Sequence, residues 1–181
     1  MMNKLLTLIL VLLVFSCKTP EARRPVTVKS GSFIDASVER NKMLHAKEKA
    51  AIEALMKKQE KNYIASESGF WYYYNTQTTI DTLKTPAFGD IINYNYNIKS
   101  LNGNVIYSTE ELKTQTYAMD KEELFKGLRE GLKLMKTGET VTFLFPSQKA
   151  YGYYGDENKI GRNVPLICEV TVNSITLNQT P

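Results

Sequence analysis

Between residues 91 and 99 the chain alternates without a break, with Ile92, Tyr94, Tyr96 and Ile98 set against Asn93, Asn95, Asn97 and Lys99. A period of two puts the four large apolar side chains on one face of a strand and the polar ones on the other. A strand built this way is stable only inside a sheet whose neighbours share its apolar face. Residues 70–75, 104–108, 140–145 and 166–177 are the other strand candidates, rich in aromatic and β-branched residues. The last of them sets Leu166, Cys168, Val170 and Val172 on one face, and Asn102-Gly103 is a hairpin turn between the first two strands after residue 90.

One short helix is expected to cover this sheet. Asp120 and Glu123 have cap-like spacing, Leu124, Leu128, Leu132 and Met135 recur at helical intervals, and Thr137-Gly138 ends the segment. The sum is an α+β domain, a curved antiparallel sheet wrapped on one helix, spanning residues 67–178. Upstream, Ser32 and Asp35 have capping-box spacing, and residues 36–64 contain neither Gly nor Pro. They predict a long helix within residues 32–66, about 40 Å if unbroken at 1.5 Å per residue. Its apolar positions, among them Val38, Leu44, Ala51, Ile52, Leu55, Met56 and Tyr63, form only a partial stripe. Two roles stay open for it, a spacer packed loosely on the domain and a homodimer-forming surface at residues 36–64.

The N-terminus gives an address. Met1 to Lys4 are followed by an apolar run ending at Phe15-Ser16, too short to span a bilayer at roughly 20 residues, so residues 1–16 read as a signal peptide. Val14-Phe15-Ser16-Cys17 resembles a lipobox, which makes Cys17 the lipid-bearing first residue of the mature chain and residues 17–31, with Pro20 and Pro25, an extended tether. The folded part then lies outside the cytoplasm in the cell envelope, held to a membrane. Lys18 rather than Asp behind the cysteine favours the outer membrane over the inner. With two cysteines in the chain, lipidation of Cys17 leaves Cys168 without a disulfide partner; its alternating apolar setting predicts a buried thiol. A formal net charge of +4 gives no electrostatic footprint for nucleic acid.

The sequence offers no metal-ligand cluster and no phosphate-cradling loop, and its single histidine, His45, lies on the charged upstream helix, which removes most triad schemes. What stands out is Ala150-Tyr151-Gly152-Tyr153-Tyr154-Gly155 followed by Ile160-Gly161-Arg162-Asn163-Val164-Pro165. Together with Ser68-Gly69-Phe70, Gly89-Asp90, Tyr96, Leu101-Asn102-Gly103, Leu124 to Gly131, Gly138 and Pro146, these motifs resemble, in order, the FKBP-type peptidyl-prolyl isomerases. The lipobox, the Lys-rich helix and the segment 145–170 are most similar to the gliding-motility-associated peptidyl-prolyl isomerase lipoproteins.

The resemblance implies cis/trans isomerisation of X-Pro bonds in exported or envelope proteins, with no cofactor and no metal. It implies that Phe125, through its backbone N–H, and Tyr151, through its hydroxyl, meet peptide carbonyls. Tyr96, Ile106, Tyr107, Tyr117, Leu124, Leu128, Ile160 and Cys168 would line the pocket. Such chemistry needs no acid or base: the amide barrier of about 18–20 kcal/mol comes from resonance, and a pocket that binds the twisted imide better than either planar isomer lowers it. Several positions depart from the family pattern. Ile106-Tyr107 stands where Phe-Asp is usual, Leu128 where Trp is, Gln115 near a second aromatic position, and Cys168 in place of Phe. The pocket is therefore expected to be less aromatic and to lack an acidic side chain. That leaves two further readings beside the enzyme, a non-catalytic FKBP-like chaperone or binding module, and a structural lipoprotein whose long helix is the contact surface.

Overall fold

A computed structural model describes residues 30–178, with side chains from residue 33. Cys17, the leader 1–16 and the tether as far as residue 29 lie outside the described residues. The chain divides into a unit ending at Val38, of which the first turns of helix α1 are described, and a unit from Glu39 to Pro181 that holds the rest of α1 and the sheet.

Helix α1 spans Ser30–Gln59. It begins before Ser32, which therefore does not cap it, and it stops short of residue 64. Glu60 takes a φ of 50°, outside the helical range. Ile64–Ala65 instead form strand β1, paired with Trp71 and Tyr72 at the start of β2 (Trp71–Thr76), while the Tyr63 ring meets Tyr73 edge-on at 5.0 Å. Cross-strand pairing and aromatic packing outweigh the helix propensity of this stretch.

The remaining elements are β3 (Ile91–Ser100), β4 (Val105–Tyr107), α2 (Thr109–Leu112), β5 (Gln115–Ala118), α3 (Lys126–Leu132), β6 (Thr140–Phe145) and β7 (Leu166–Thr176). They complete a seven-stranded sheet in the order β1-β2-β6-β7-β3-β4, antiparallel throughout, with β5 also on β3. Along one edge β3 pairs with β7 from Ile91 opposite Thr176 to Ser100 opposite Leu166. On the other edge β5 takes residues Ile91 to Tyr94 and β4 takes Ile98 and Lys99. Register shifts at Asn93/Tyr94 and Ile98/Lys99 add the local twist that curves the sheet.

Strand alternation decides what each face covers. Ile92, Tyr94, Tyr96 and Ile98 of β3, Val141, Phe143 and Phe145 of β6, and Leu166, Cys168, Val170 and Val172 of β7 form the main core with Leu128, Leu132 and Met135. The intervening residues Leu144 and Ile167 face the other way and pack with Ile52 of α1, flanked by Leu55, Met56, Tyr63, Trp71 and Leu101. Ile52 is 0 % exposed. From Glu48 to Met56, α1 is thus part of a second core and not a loosely packed spacer. The polar face of β3 makes its own cross-strand bonds, Asn93 Nδ2 to Ser174 Oγ (3.1 Å) and Asn95 Nδ2 to Thr114 Oγ1 (3.1 Å).

Helix α3 is shorter than the leucine spacing predicts, because residues before Lys126 are held in a turn. Asp120 has a φ of 58°. The Tyr117 hydroxyl donates to the Glu122 carbonyl (3.2 Å) and accepts from the Asp120 N–H (3.3 Å). Phe125 keeps an extended ψ of 141° as the N-cap. Leu124 and Phe125 therefore sit ahead of the helix, at its mouth.

Candidate active site

Two segments meet at the N-terminus of α3. One is Leu124-Phe125. The other follows β6, where Pro146 leads into a 3₁₀ turn at Ser147–Lys149 and then into Ala150-Tyr151. Close approach of turn and helix depends on Gly127, where a Cβ would lie 2.6 Å from both the Lys149 carbonyl and the Phe145 ring. The Tyr151 and Phe125 rings pack at 5.1 Å, and Phe125 meets Phe145 edge-on at 5.5 Å. Leu124, Phe125 and Tyr151, with Glu122, Glu123 and Arg129, line an open cleft of about 550 Å³.

Two donors on the residues that line this cleft have no partner among the described residues. One is the Phe125 N–H, an orphan of the helix start. The other is the Tyr151 hydroxyl. Burial first, and then the nearby Tyr96, Cys168, Asp156 and Tyr107, push the Tyr151 hydroxyl well above its ordinary pKa, so it keeps its proton and can donate.

The other expected site residues fall into two groups. Tyr96, buried on β3, and the half-buried Ile106 and Tyr107 of β4 stand beside the cleft-lining residues in the main core. Burial raises the Tyr96 hydroxyl to about 12, aided by Cys168 and Tyr107. Leu128 and Cys168 are 0 % exposed and Ile160 is 3 % exposed, so they back the wall instead of presenting surface. Tyr117 is also buried, and its hydroxyl is consumed by the turn before α3.

Asp156 was missed in the sequence. Its Oδ2 accepts from the Tyr107 hydroxyl, and its Oδ1 accepts from the N–H groups of Asn158 (3.0 Å) and Ile160 (2.7 Å). Partial burial alone would raise its pKa, yet these hydrogen bonds, Tyr107 first, hold it below the usual carboxylate value. The region therefore does not lack an acidic side chain: the carboxylate comes from the loop after Tyr151, while β4 supplies its phenol. Asp156-Glu157-Asn158 directly behind Gly155 is the local signal, because Asp side chains cap nearby backbone N–H groups in turns. Gly155, at φ +73°, is required there, since a Cβ would lie 2.2 Å from the Ile160 carbonyl. Lys159 completes the tie, with Nζ 4.7 Å from the Tyr107 ring centre and paired to Glu111.

A larger hollow of about 670 Å³ lies on the opposite face, between α1 and Leu101-Asn102-Gly103. Its lining joins Ala51, Ala54, Leu55 and Ile167 with Lys58, Gln59 and Asn102 and holds none of the cleft residues around Tyr151, so size does not make it the site.

A model of the family described as FKBP-type peptidyl-prolyl cis-trans isomerase matches residues 83–173. The chain belongs to this family. It is 30% identical over 112 residues to a probable FKBP-type peptidyl-prolyl cis-trans isomerase of Haemophilus influenzae, covering 62% of this chain and 45% of that one. Over 92 residues it is 29% identical to a probable FKBP-type peptidyl-prolyl cis-trans isomerase FkpA of Neisseria meningitidis, covering 51% of this chain and 34% of that one. The chain thus spans less than half the length of these two curated relatives. The crystal structure of FkpA from Escherichia coli shares the fold, with a TM-score of 0.59 at 20% identity over 98% of this chain and 83% of that one.

Proposed function

We propose that the chain is a membrane-anchored peptidyl-prolyl cis/trans isomerase acting on X-Pro bonds of proline-containing client proteins in the cell envelope. The observation that carries this reading is the pair of donors without a partner among the described residues, the Phe125 N–H and the Tyr151 hydroxyl, on a cleft where Leu124 and the Phe125 and Tyr151 rings stand beside Glu122, Glu123 and Arg129. An X-Pro segment seated there would have its carbonyls held by the two donors while the imide rotates against Leu124 and the aromatic rings, on the apolar side of the cleft. Twisting removes resonance and leaves nitrogen pyramidal and the carbonyl less polar, a form that needs less hydration than either planar isomer. Stronger binding of that form is the catalysis. No proton is transferred, which suits a site where Tyr96, Tyr107 and Tyr151 are all shifted upward.

The test is a protease-free isomerase assay on a panel of Xaa-Pro peptides with the full-length chain in detergent. Acceleration that drops at least tenfold in Tyr151→Phe supports the reading, whereas no acceleration on any peptide sinks it. The buried Leu128, aliphatic and 0 % exposed behind the cleft, favours a second reading, a non-catalytic chaperone or binding module. That module would suppress aggregation of an unfolded client equally well with and without Tyr151.

The anchor is a proposal on its own footing. The lipobox-like Val14-Phe15-Ser16-Cys17 supports a lipid on Cys17, and Lys18 supports the outer membrane. Cys17→Ala should move the protein from the membrane to the soluble envelope fraction, and the intact mass should lose the diacylglycerol and acyl increments. The lipoprotein leader and Lys-rich helix also support membership in the gliding-motility-associated group. Loss of colony spreading on deletion of the gene tests that membership.

A further inference from the structure

We propose that Glu48, on the helix that precedes the isomerase domain, is a positioning residue for Tyr151, so that α1 belongs to the active site's support. This rests on the functional reading above for its kinetic consequence, though not for its geometry. Glu48 is 5 % exposed. Both of its carboxylate oxygens are committed to one residue: Oε2 accepts the Ser147 N–H at 2.9 Å and Oε1 accepts the Ser147 hydroxyl at 2.7 Å. Ser147 is itself 1 % exposed and opens the turn that delivers Tyr151. Its carbonyl accepts the N–H groups of Ala150 (3.0 Å) and Gly152 (2.9 Å), the two residues that flank Tyr151.

Other buried carboxylates do comparable work elsewhere. Asp90 accepts from the N–H groups of Ala87 and Asn178, and Glu139 accepts from those of Thr78 and Lys136. Both tie loops within the sheet domain. Glu48 is the one that reaches across from α1, and the turn it holds is the one carrying a cleft-lining side chain. A buried carboxylate with two short hydrogen bonds to a single residue fixes that residue in both position and orientation. Tyr151 sits four residues further on, with its ring against Phe125 at 5.1 Å. Loss of the tie leaves Ser147 with an unsatisfied N–H and hydroxyl, and the turn is freed to shift the phenol from its donor position. Displacements of this kind, near 1 Å, cost up to about 100-fold in rate.

The experiment is a double-mutant cycle on the full-length chain. Glu48→Ala is expected to lower kcat/KM about tenfold, acting mainly on kcat, while in a Tyr151→Phe background it lowers it less than twofold further. Glu48→Gln, whose amide still accepts the Ser147 N–H and can donate to the hydroxyl, should restore activity to within about threefold of wild type. Ser147→Ala removes one of the two bonds without touching α1, and serves if Glu48→Ala does not fold. Its loss should likewise vanish in the Tyr151→Phe background. Equal losses in both backgrounds overturn the proposal. If the wild type shows no isomerase activity, the functional reading has failed and the tie is judged by hydrogen exchange. Faster exchange at the Ser147, Ala150 and Gly152 amides in Glu48→Ala, with β3 and β7 unchanged, supports it, and unchanged exchange in the turn overturns it.

Discussion

The Tyr107 hydroxyl donates to the Asp156 carboxylate, joining β4 to the loop that follows Tyr151. The phenol comes from the strand and the carboxylate from the loop, so the bond ties two segments that are far apart in the chain. Because Asp156 also caps the N–H groups of Asn158 and Ile160, the same carboxylate shapes the loop and fixes it to the sheet. Ile160 is thereby held in the wall of the site, although its own side chain is 3 % exposed.

Tyr107→Phe keeps the ring and its contact with Lys159 while removing the donor to Asp156. The expected cost is about 1 kcal/mol in urea denaturation, the value of one partly solvated hydrogen bond. Exchange of the Asn158 and Ile160 amides should quicken. A variant as stable as wild type, with unchanged exchange in the loop, counts against the tie.

The pH dependence follows from the direction of two shifts. Asp156 is held below its unfolded value, so its contribution is fully present above about pH 4 and is lost as pH falls through the lower folded pKa. Tyr151 is shifted upward and keeps its proton throughout the neutral and mildly basic range. Isomerase rate should therefore be flat from about pH 5.5 to 9 and decline only in acid, with the Ile160 amide resonance moving over the same acid interval. A bell centred near neutrality would mean that some other titrating group acts in the site.

Much of the sheet was legible because β3 alternates over its whole length, and Ile92, Tyr94, Tyr96 and Ile98 all lie in the main core as that alternation requires. Strand β6 reads less clearly, since Val141, Phe143 and Phe145 lie in the main core while Leu144 packs with α1, so the alternation set by Thr140 and Thr142 breaks off after Phe143. The same contact hid the role of α1, whose partial stripe is short because only the stretch around Glu48 to Met56 meets the sheet. Helix α3 was overextended because Leu124 keeps helical spacing while Tyr117 holds the preceding turn. Residues 109–118 carry one buried residue, Tyr117, too few to set a period, so α2 and β5 went unseen. At the site, the motif register pointed to Tyr151 and Phe125, but Asp156 and Glu48 act by capping backbone groups distant in the chain or folded back on it, which residue spacing alone does not reveal.

Cys168 is 0 % exposed, and burial drives its thiol well above the ordinary value. Only the thiolate reacts readily, so the folded protein should be inert to a thiol-specific disulfide reagent at pH 8. Labelling should appear on denaturation, with a rate that follows unfolding as urea is raised. Stoichiometric labelling of Cys168 in native buffer within minutes would show that the wall of the site opens.

The packing of Ile52 against Leu144 and Ile167 predicts that α1 cannot be removed without loss. Ile52→Ala deletes a fully buried side chain between a helix and a sheet, and should cost about 2–5 kcal/mol. Met43→Ala, at a position 58 % exposed on the same helix, should stay within about 0.5 kcal/mol. Trp71, the single tryptophan, packs against this second core, so its fluorescence reports the transition directly. A fragment starting at residue 68 uncovers Leu144 and Ile167 and also releases Ser147 from Glu48, so it should be both less stable and less active than the full chain. If that fragment matches the full chain in urea midpoint and in kcat/KM, α1 is an appendage and the link from Ile52 and Glu48 to the site is wrong.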